Sequence, residues 1–170
     1  MPIRKVPERI VEVPYSNNMV TEIDMWKLTN TWHYTSVSTF IDITDISPYT
    51  VGGFSPKGAG MSISSGIFTF PSTGYYKIEY TMAFVSPGQS SAFTGGAIRL
   101  SEDNFATGGD SIVGYSNMFT TSIYTMAEYQ TIFKVDSTAT HKCKFQVYSQ
   151  ETVYVEPDRT NFRFIKLGEI

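Results

Sequence analysis

The chain has 170 residues, a formal net charge of -3, aromatics at 15% against charged residues at 17%, 13 glycines and one cysteine. Scattered lysines and arginines on a net negative chain argue against a general nucleic-acid binder, which needs clustered cations, and a single thiol excludes an internal disulfide. Aromatic- and threonine-rich sequence punctuated by glycine suits pleated surfaces and tight turns, so an all-β domain is predicted, and a chain of this length buries roughly two thirds of its unfolded surface.

Residues 1–35 read as an N-terminal arm. Pro2, Pro7 and Pro14 interrupt it, and Arg4, Lys5, Glu8, Arg9 and Glu12 charge it. It has no uninterrupted apolar core of signal-peptide length, and no later segment reaches the roughly 20 apolar residues of a membrane span, so synthesis in the cytoplasm of the producing cell and no membrane insertion are expected. Ile10, Val11 and Val13 suit an edge strand added to a neighbouring sheet. Met25, Trp26 and Trp32 make 19–32 too hydrophobic to hang free, either as an anchor on another protein or as a first strand of the same domain. Only 21–31, weakly amphipathic, has room for a short helix.

From residue 36 the pattern is that of short strands. Val37, Thr39, Ile41 and Ile43 alternate with Ser36, Ser38, Phe40 and Asp42 before Ser47 and Pro48 end the run. Glycine-rich loops follow at 52–60. The segment 66–80, GIFTFPSTGYYKIEY, sets two aromatic-rich alternating runs around Pro71-Ser72-Thr73-Gly74 and reads as a hairpin, since Pro fixes φ and Gly accepts positive φ. Loops at 86–91 and 104–110 flank a strand at 97–101, and 111–125 is weakly patterned. Alternation returns at Tyr129, Thr131, Phe133 and Val135, then at 142–148, 152–155 and 161–167. Cys143 shares a face with Phe145 and Val147, as a small buried hydrophobe does.

Gly66, Phe68, Pro71, Gly74 and Tyr76 stand in the order G-x-F-x-x-P-x-x-G-x-Y, which resembles the element shared by the complement globular-head and tumour necrosis factor superfamily. Residues 129–136, 142–148 and 161–167 resemble its later strands in order, so the resemblance covers 36–170, the predicted globular domain. It implies an antiparallel β-sandwich, a jelly roll of about ten strands, assembled as a homotrimer and serving as a recognition head. Collagen repeats and heptads, which carry extracellular members of that superfamily, are absent here. A short proline-marked arm in their place points by analogy to a bacteriophage virion component, a fibre, knob or capsid decoration protein joined to a capsid or tail partner.

Strand residues an odd number of positions apart point to opposite faces, so Tyr75 and Tyr76, Tyr129 and Ile132, and Phe164 and Ile165 give the sandwich more apolar surface than one core can bury. On this argument Tyr75, Tyr129, Tyr148 and Phe164 are assigned to the threefold contact. Recognition of a host receptor or glycan is assigned to Gln89, Ser90 and Phe93, to Asn104, Phe105 and Asp110, and to 52–60.

No catalytic or cofactor constellation emerges. His33 and His141 are far apart and read as solvated, no H-x-H spacing occurs, and the carboxylates Asp42, Asp45, Glu102, Asp103, Asp110, Glu128, Asp136, Glu156 and Asp158 sit beside turn formers. Serines lack a G-x-S-x-G elbow and glycine pairs lack a Walker pattern. The expectation is a chain without enzymatic activity, metal or cofactor. The alternatives are a carbohydrate-binding module using Trp26, Trp32, Tyr115 or Tyr124, and, behind it, a polysaccharide-cleaving enzyme.

Overall fold

A computed structural model describes residues 20–35, 38–50, 52–88, 91–118 and 124–170. Among these, thirteen strands and no helix form two antiparallel sheets. Seven strands are six residues or longer: β1 (Ile23–Leu28), β7 (Gly74–Val85), β8 (Ser91–Ser101), β9 (Asp110–Met118), β10 (Thr125–Val135), β11 (Lys142–Ser149) and β13 (Asn161–Gly168). The rest are short: β2 (Trp32–Tyr34), β3 (Ile41–Asp42), β4 (Ile46–Pro48), β5 (Ser62–Ser64), β6 (Ile67–Thr69) and β12 (Val153–Val155). The first sheet runs β4-β1-β13-β7-β10, with β12 and β2 extending it beside the end of β7; the second runs β5-β6-β11-β8-β9, with β3 on β11.

The period of two predicted for these runs decides which side chains meet. Trp26, Phe162, Tyr80 and Tyr129 lie in one cross-strand row on the inner face of the first sheet. Tyr80 stacks between Tyr129 and Phe162 at 5.1 Å from each. From the opposite sheet Phe145 reaches Phe162 at 4.5 Å and Phe68 packs edge-on to Trp26 at 5.2 Å. Aromatic pairs of this geometry add to the burial of their area. This interlocked stack is the centre of the core.

Three readings are sharpened or change. The stretch 21–31, the one place with room for a short helix, holds strand β1, so of the two alternatives for 19–32 a first strand of the same domain is the one present, and the arm does not extend to residue 35. β1 pairs with β13 and β4, β2 pairs with β12, Trp26 and Leu28 are core, and Met25 and Trp32 lie on sheet strands, so Met25, Trp26 and Trp32 are parts of the sandwich. The buried Asp24 carboxylate fixes β1, accepting hydrogen bonds from Met25 N (2.9 Å), Trp26 Nε1 (2.8 Å) and Met61 N (2.7 Å). Ile10, Val11 and Val13 lie outside the described residues.

The segment 66–80 is not a hairpin. β6 pairs with β5 and β11 in the second sheet, whereas β7 pairs with β10, β12 and β13 in the first. The Pro-Ser-Thr-Gly turn therefore carries the chain from one sheet across to the other. Gly74 is required there: its φ is 142°, and a Cβ would stand 2.5 Å from the Gly168 carbonyl oxygen. Lastly, the weakly patterned 111–125 contains most of β9, an edge strand whose side chains at 111–116 are exposed or half-buried on both faces.

Candidate interaction surface

Two surfaces stand out, one on each sheet. Outward side chains of the first sheet fall in rows set by register: Ile23, Ile165, Lys77 and Ile132; then Met25, Arg163, Glu79 and Gln130; then Lys27, Asn161, Thr81 and Glu128. Glu79 holds the centre, paired with Lys77 at 2.6 Å and Arg163 at 3.4 Å. Beside them Glu79, Thr81, Glu128, Gln130 and Arg163 line a shallow depression of about 250 Å³. The Asn161 Oδ1 atom, in register with Thr81, is buried without a hydrogen-bond donor.

This polar centre has an apolar margin. Ile132 is 63% and Met126 53% exposed on β10, and Ile112 and Val113 are both exposed on the neighbouring edge strand β9. Tyr75 and Leu167 add to it on β7 and β13. Past Asp110 at its start, β9 carries no charge or proline, where edge strands are ordinarily guarded by one or the other. Exposed large apolar side chains thus concentrate where the two sheets end side by side.

The second surface lies on the outer face of the second sheet. Tyr148, Gly95 and Tyr115 are in register across β11, β8 and β9, and with no side chain at Gly95 the two tyrosine rings meet over it at 5.3 Å. Phe93 packs edge-on to Tyr115 at 5.8 Å, and Phe40 packs on Tyr148 at 5.0 Å. Two residues along β3 and β11, Asp42 accepts from Lys144 Nζ (2.7 Å) and Gln146 Nε2 (2.6 Å). At the far end of β8, Ser101 and Asp103 organise the 102–109 loop: Ser101 Oγ accepts from Phe105 N at 2.7 Å, and Asp103 Oδ2 accepts from Thr107 N at 3.0 Å. The Thr107 and Ser101 hydroxyls hold the Asp103 carboxyl below its ordinary range.

Of the four residues assigned to a threefold contact, the structure leaves two available. Tyr75 is exposed and Tyr148 half-buried in the aromatic cluster. Tyr129 and Phe164 are core residues in a single chain, Phe164 touching Phe68, Phe70 and Phe145. Those pairs do face opposite ways, and their outward members are Ile132 and Ile165. Of the residues assigned to recognition, Gln89 and Ser90 lie outside the described residues; Phe93 is in a strand; Asn104, Phe105 and Asp110 sit on or beside the 102–109 loop, with Asn104 and Phe105 at φ near 60°. His141 is buried against Phe133, not solvated, while His33 is exposed over Tyr154. Unforeseen were Ile112, Val113, Met126 and Phe40; for Met126, as for Ile132, an odd separation from the inward Tyr129 and Phe133 was the signal of an outward position.

One contact resembles catalytic chemistry. Lys166 Nζ, in a buried side chain, is 3.1 Å from Ser72 Oγ, which is 3.0 Å from the Tyr76 hydroxyl. Lys166 also pairs with Glu169 at 2.8 Å, and this group ties the Pro-Ser-Thr-Gly turn to the end of β13. Among the described residues no three His, Cys, Asp or Glu side chains are grouped to hold a metal ion.

No family model and no curated protein sequence matches the chain. Similar solved structures include murine APRIL, at 12% identity and a TM-score of 0.59 over 85% of this chain and 98% of that one. Eiger TNF from S. frugiperda matches at 12% identity and 0.54 over 88% and 95%. The PRD1 vertex protein P5 matches at 13% identity and 0.57 over 86% and 97%. At such identities the likeness is one of fold, and the fold is the tumour necrosis factor-like jelly roll.

Proposed function

We propose that this chain is the homotrimeric, non-enzymatic jelly-roll head of a bacteriophage virion, joined to a capsid or tail partner through its N-terminal residues, with its outer loops turned toward the host. The observation that carries the trimer is the apolar margin of β9 and β10. A monomer gains nothing by leaving Ile112, Val113, Met126 and Ile132 in water, and a second copy set against them would remove that surface. Similarity of fold to a vertex protein as well as to cytokines supports the virion half.

The trimer is tested by the native mass of the full chain, expected at three times the 19.1 kDa of one copy. Ile132→Lys combined with Val113→Asp should return it to one copy without loss of β-sheet signal. A single-chain mass for the native protein at micromolar concentration overturns the reading. The virion half is tested by removing residues 1–19 and locating the protein in negative-stain images of particles. The truncated chain should keep its mass and fold but no longer join the particle; unchanged incorporation overturns the attachment role.

A further inference from the structure

The aromatic cluster on the second sheet borders the proposed subunit contact, Val113 standing two residues from Tyr115 on the same face of β9, and its chemistry is selective. We infer that Phe93 and Tyr115, supported by Tyr148 and Phe40, form a platform for a neutral oligosaccharide. Both Phe93 and Tyr115 are 48% exposed although each already packs against a neighbouring ring, so the protein fixes their orientation and leaves part of each ring to solvent. About 7 Å along the strands from Phe40 and Tyr148, with β11 and β8 between it and Tyr115, Asp42 is held by Lys144 and Gln146 with the remaining lone pairs of its carboxylate unengaged by either. A pyranose ring combines an apolar C–H face with a hydroxyl rim. An oligosaccharide lying across Phe93, Tyr115 and Tyr148 brings a later sugar of the chain to the carboxylate and amide, which matches the few fixed polar groups beside apolar walls that small-ligand sites use.

The same observations weigh against other occupants. Two half-exposed rings offer roughly 150–250 Å², well short of the ~800 Å² per partner of a stable protein interface. A nucleic acid would stack here equally well, but its phosphates need cations. The cations of this face among the described residues are engaged, Lys144 by Asp42, Lys142 by the Thr69 hydroxyl and the Thr138 carbonyl, and Arg99 by the carbonyls of Gly108 and Gly109. The ion pair also cancels its own charge, which favours an uncharged ligand.

The test is calorimetric titration of the full chain with maltohexaose, cellohexaose and chitohexaose. At least one should bind with a dissociation constant below about 1 mM. Tyr115→Ala and Phe93→Ala should each weaken it roughly tenfold, the scale of one stacked ring. Asp42→Asn, which keeps an acceptor but removes the charge, should weaken it less, and Tyr75→Ala, an exposed ring on the other sheet, should leave it unchanged. Should Tyr115→Ala unfold the protein, Phe93→Ala and Asp42→Asn carry the comparison. The inference fails if none of the three hexaoses binds the native chain, or if both ring variants bind as the native chain does. Native mass of the same variants separates this from the trimer reading: a Tyr115→Ala chain that falls to one copy, from a native protein that binds no sugar, assigns the platform to subunit contact.

Discussion

The hydroxyl of Tyr129, on the first sheet, accepts a hydrogen bond from the backbone N–H of Gly96 on the second at 2.7 Å, and donates to the Gly114 carbonyl at 3.1 Å. Gly96 and Gly114 face each other across β8 and β9, and a Cβ on Gly114 would stand 2.8 Å from the Tyr129 ring. The two glycines open the second sheet so that a tyrosine from the first can reach its backbone. Tyr129→Phe leaves that buried N–H without an acceptor, at a cost of about 1–3 kcal/mol. Gly114→Ala drives the ring out of place and should cost a similar amount by overpacking. Urea midpoints of both variants measure this, and an unchanged midpoint for Tyr129→Phe means the hydroxyl bond contributes nothing.

Asp24 decides where the domain begins. Its carboxylate serves three N–H donors on β1 and on the loop ending at Met61. Asp24→Ala should cost about 3 kcal/mol, since buried donors are left unpaired. Removing residues 1–19 should leave cooperative unfolding intact, whereas removing 1–30 takes away β1, with Trp26 and Leu28 from the core, and should abolish it. A cooperative transition in the 1–30 deletion would return β1 to the status of an appendage.

The jelly roll was legible because its longest strands keep a strict period: Tyr76, Ile78, Tyr80, Met82 and Phe84 are all buried, as are Phe162 and Phe164. At 21–31 neither helix nor strand stood out, because the period of two, Asp24, Trp26 and Leu28, was disguised by a carboxylate at a core position. Sequence sees that carboxylate as polar; only the fold supplies its donors. The assignment of Tyr129 and Phe164 to an interface had a different cause. Alternation tells that two residues face opposite ways but not which way is inward, and that choice belongs to the partner sheet. The aromatic platform was illegible for a related reason, since Phe40, Phe93, Tyr115 and Tyr148 come from four segments joined only by register.

Cys143 offers a readout of global opening. Its thiol is fully buried on β11, and burial pushes its pKa well above the ordinary thiol value. Only the thiolate reacts with disulfide reagents, so the native protein should react with Ellman's reagent no faster than it unfolds. Reaction of the single thiol within seconds in native buffer, at unchanged circular dichroism, would show that β11 opens locally.

The buried tyrosines set an alkaline limit. Burial raises the pKa values of Tyr34, Tyr76, Tyr80 and Tyr129 above the ordinary 10.0, because the phenolate would lose its water. A group with a raised folded-state pKa keeps its proton longer in the folded chain than in the unfolded one. Its contribution is therefore fully present below pH 10 and is lost as pH rises through the folded value. Tyr80 and Tyr129, the two most strongly raised, should together remove roughly 3 kcal/mol per pH unit above pH 10. Stability by urea unfolding should be flat with respect to these groups up to that point and then fall steeply, and Tyr129→Phe should make the fall shallower. In a titration followed at 295 nm, the phenolate signal of these four should appear only together with loss of near-ultraviolet circular dichroism. If all 11 tyrosines ionise by pH 12 with that ellipticity retained, the core is open to solvent and the interlocked aromatic row does not hold the sheets together.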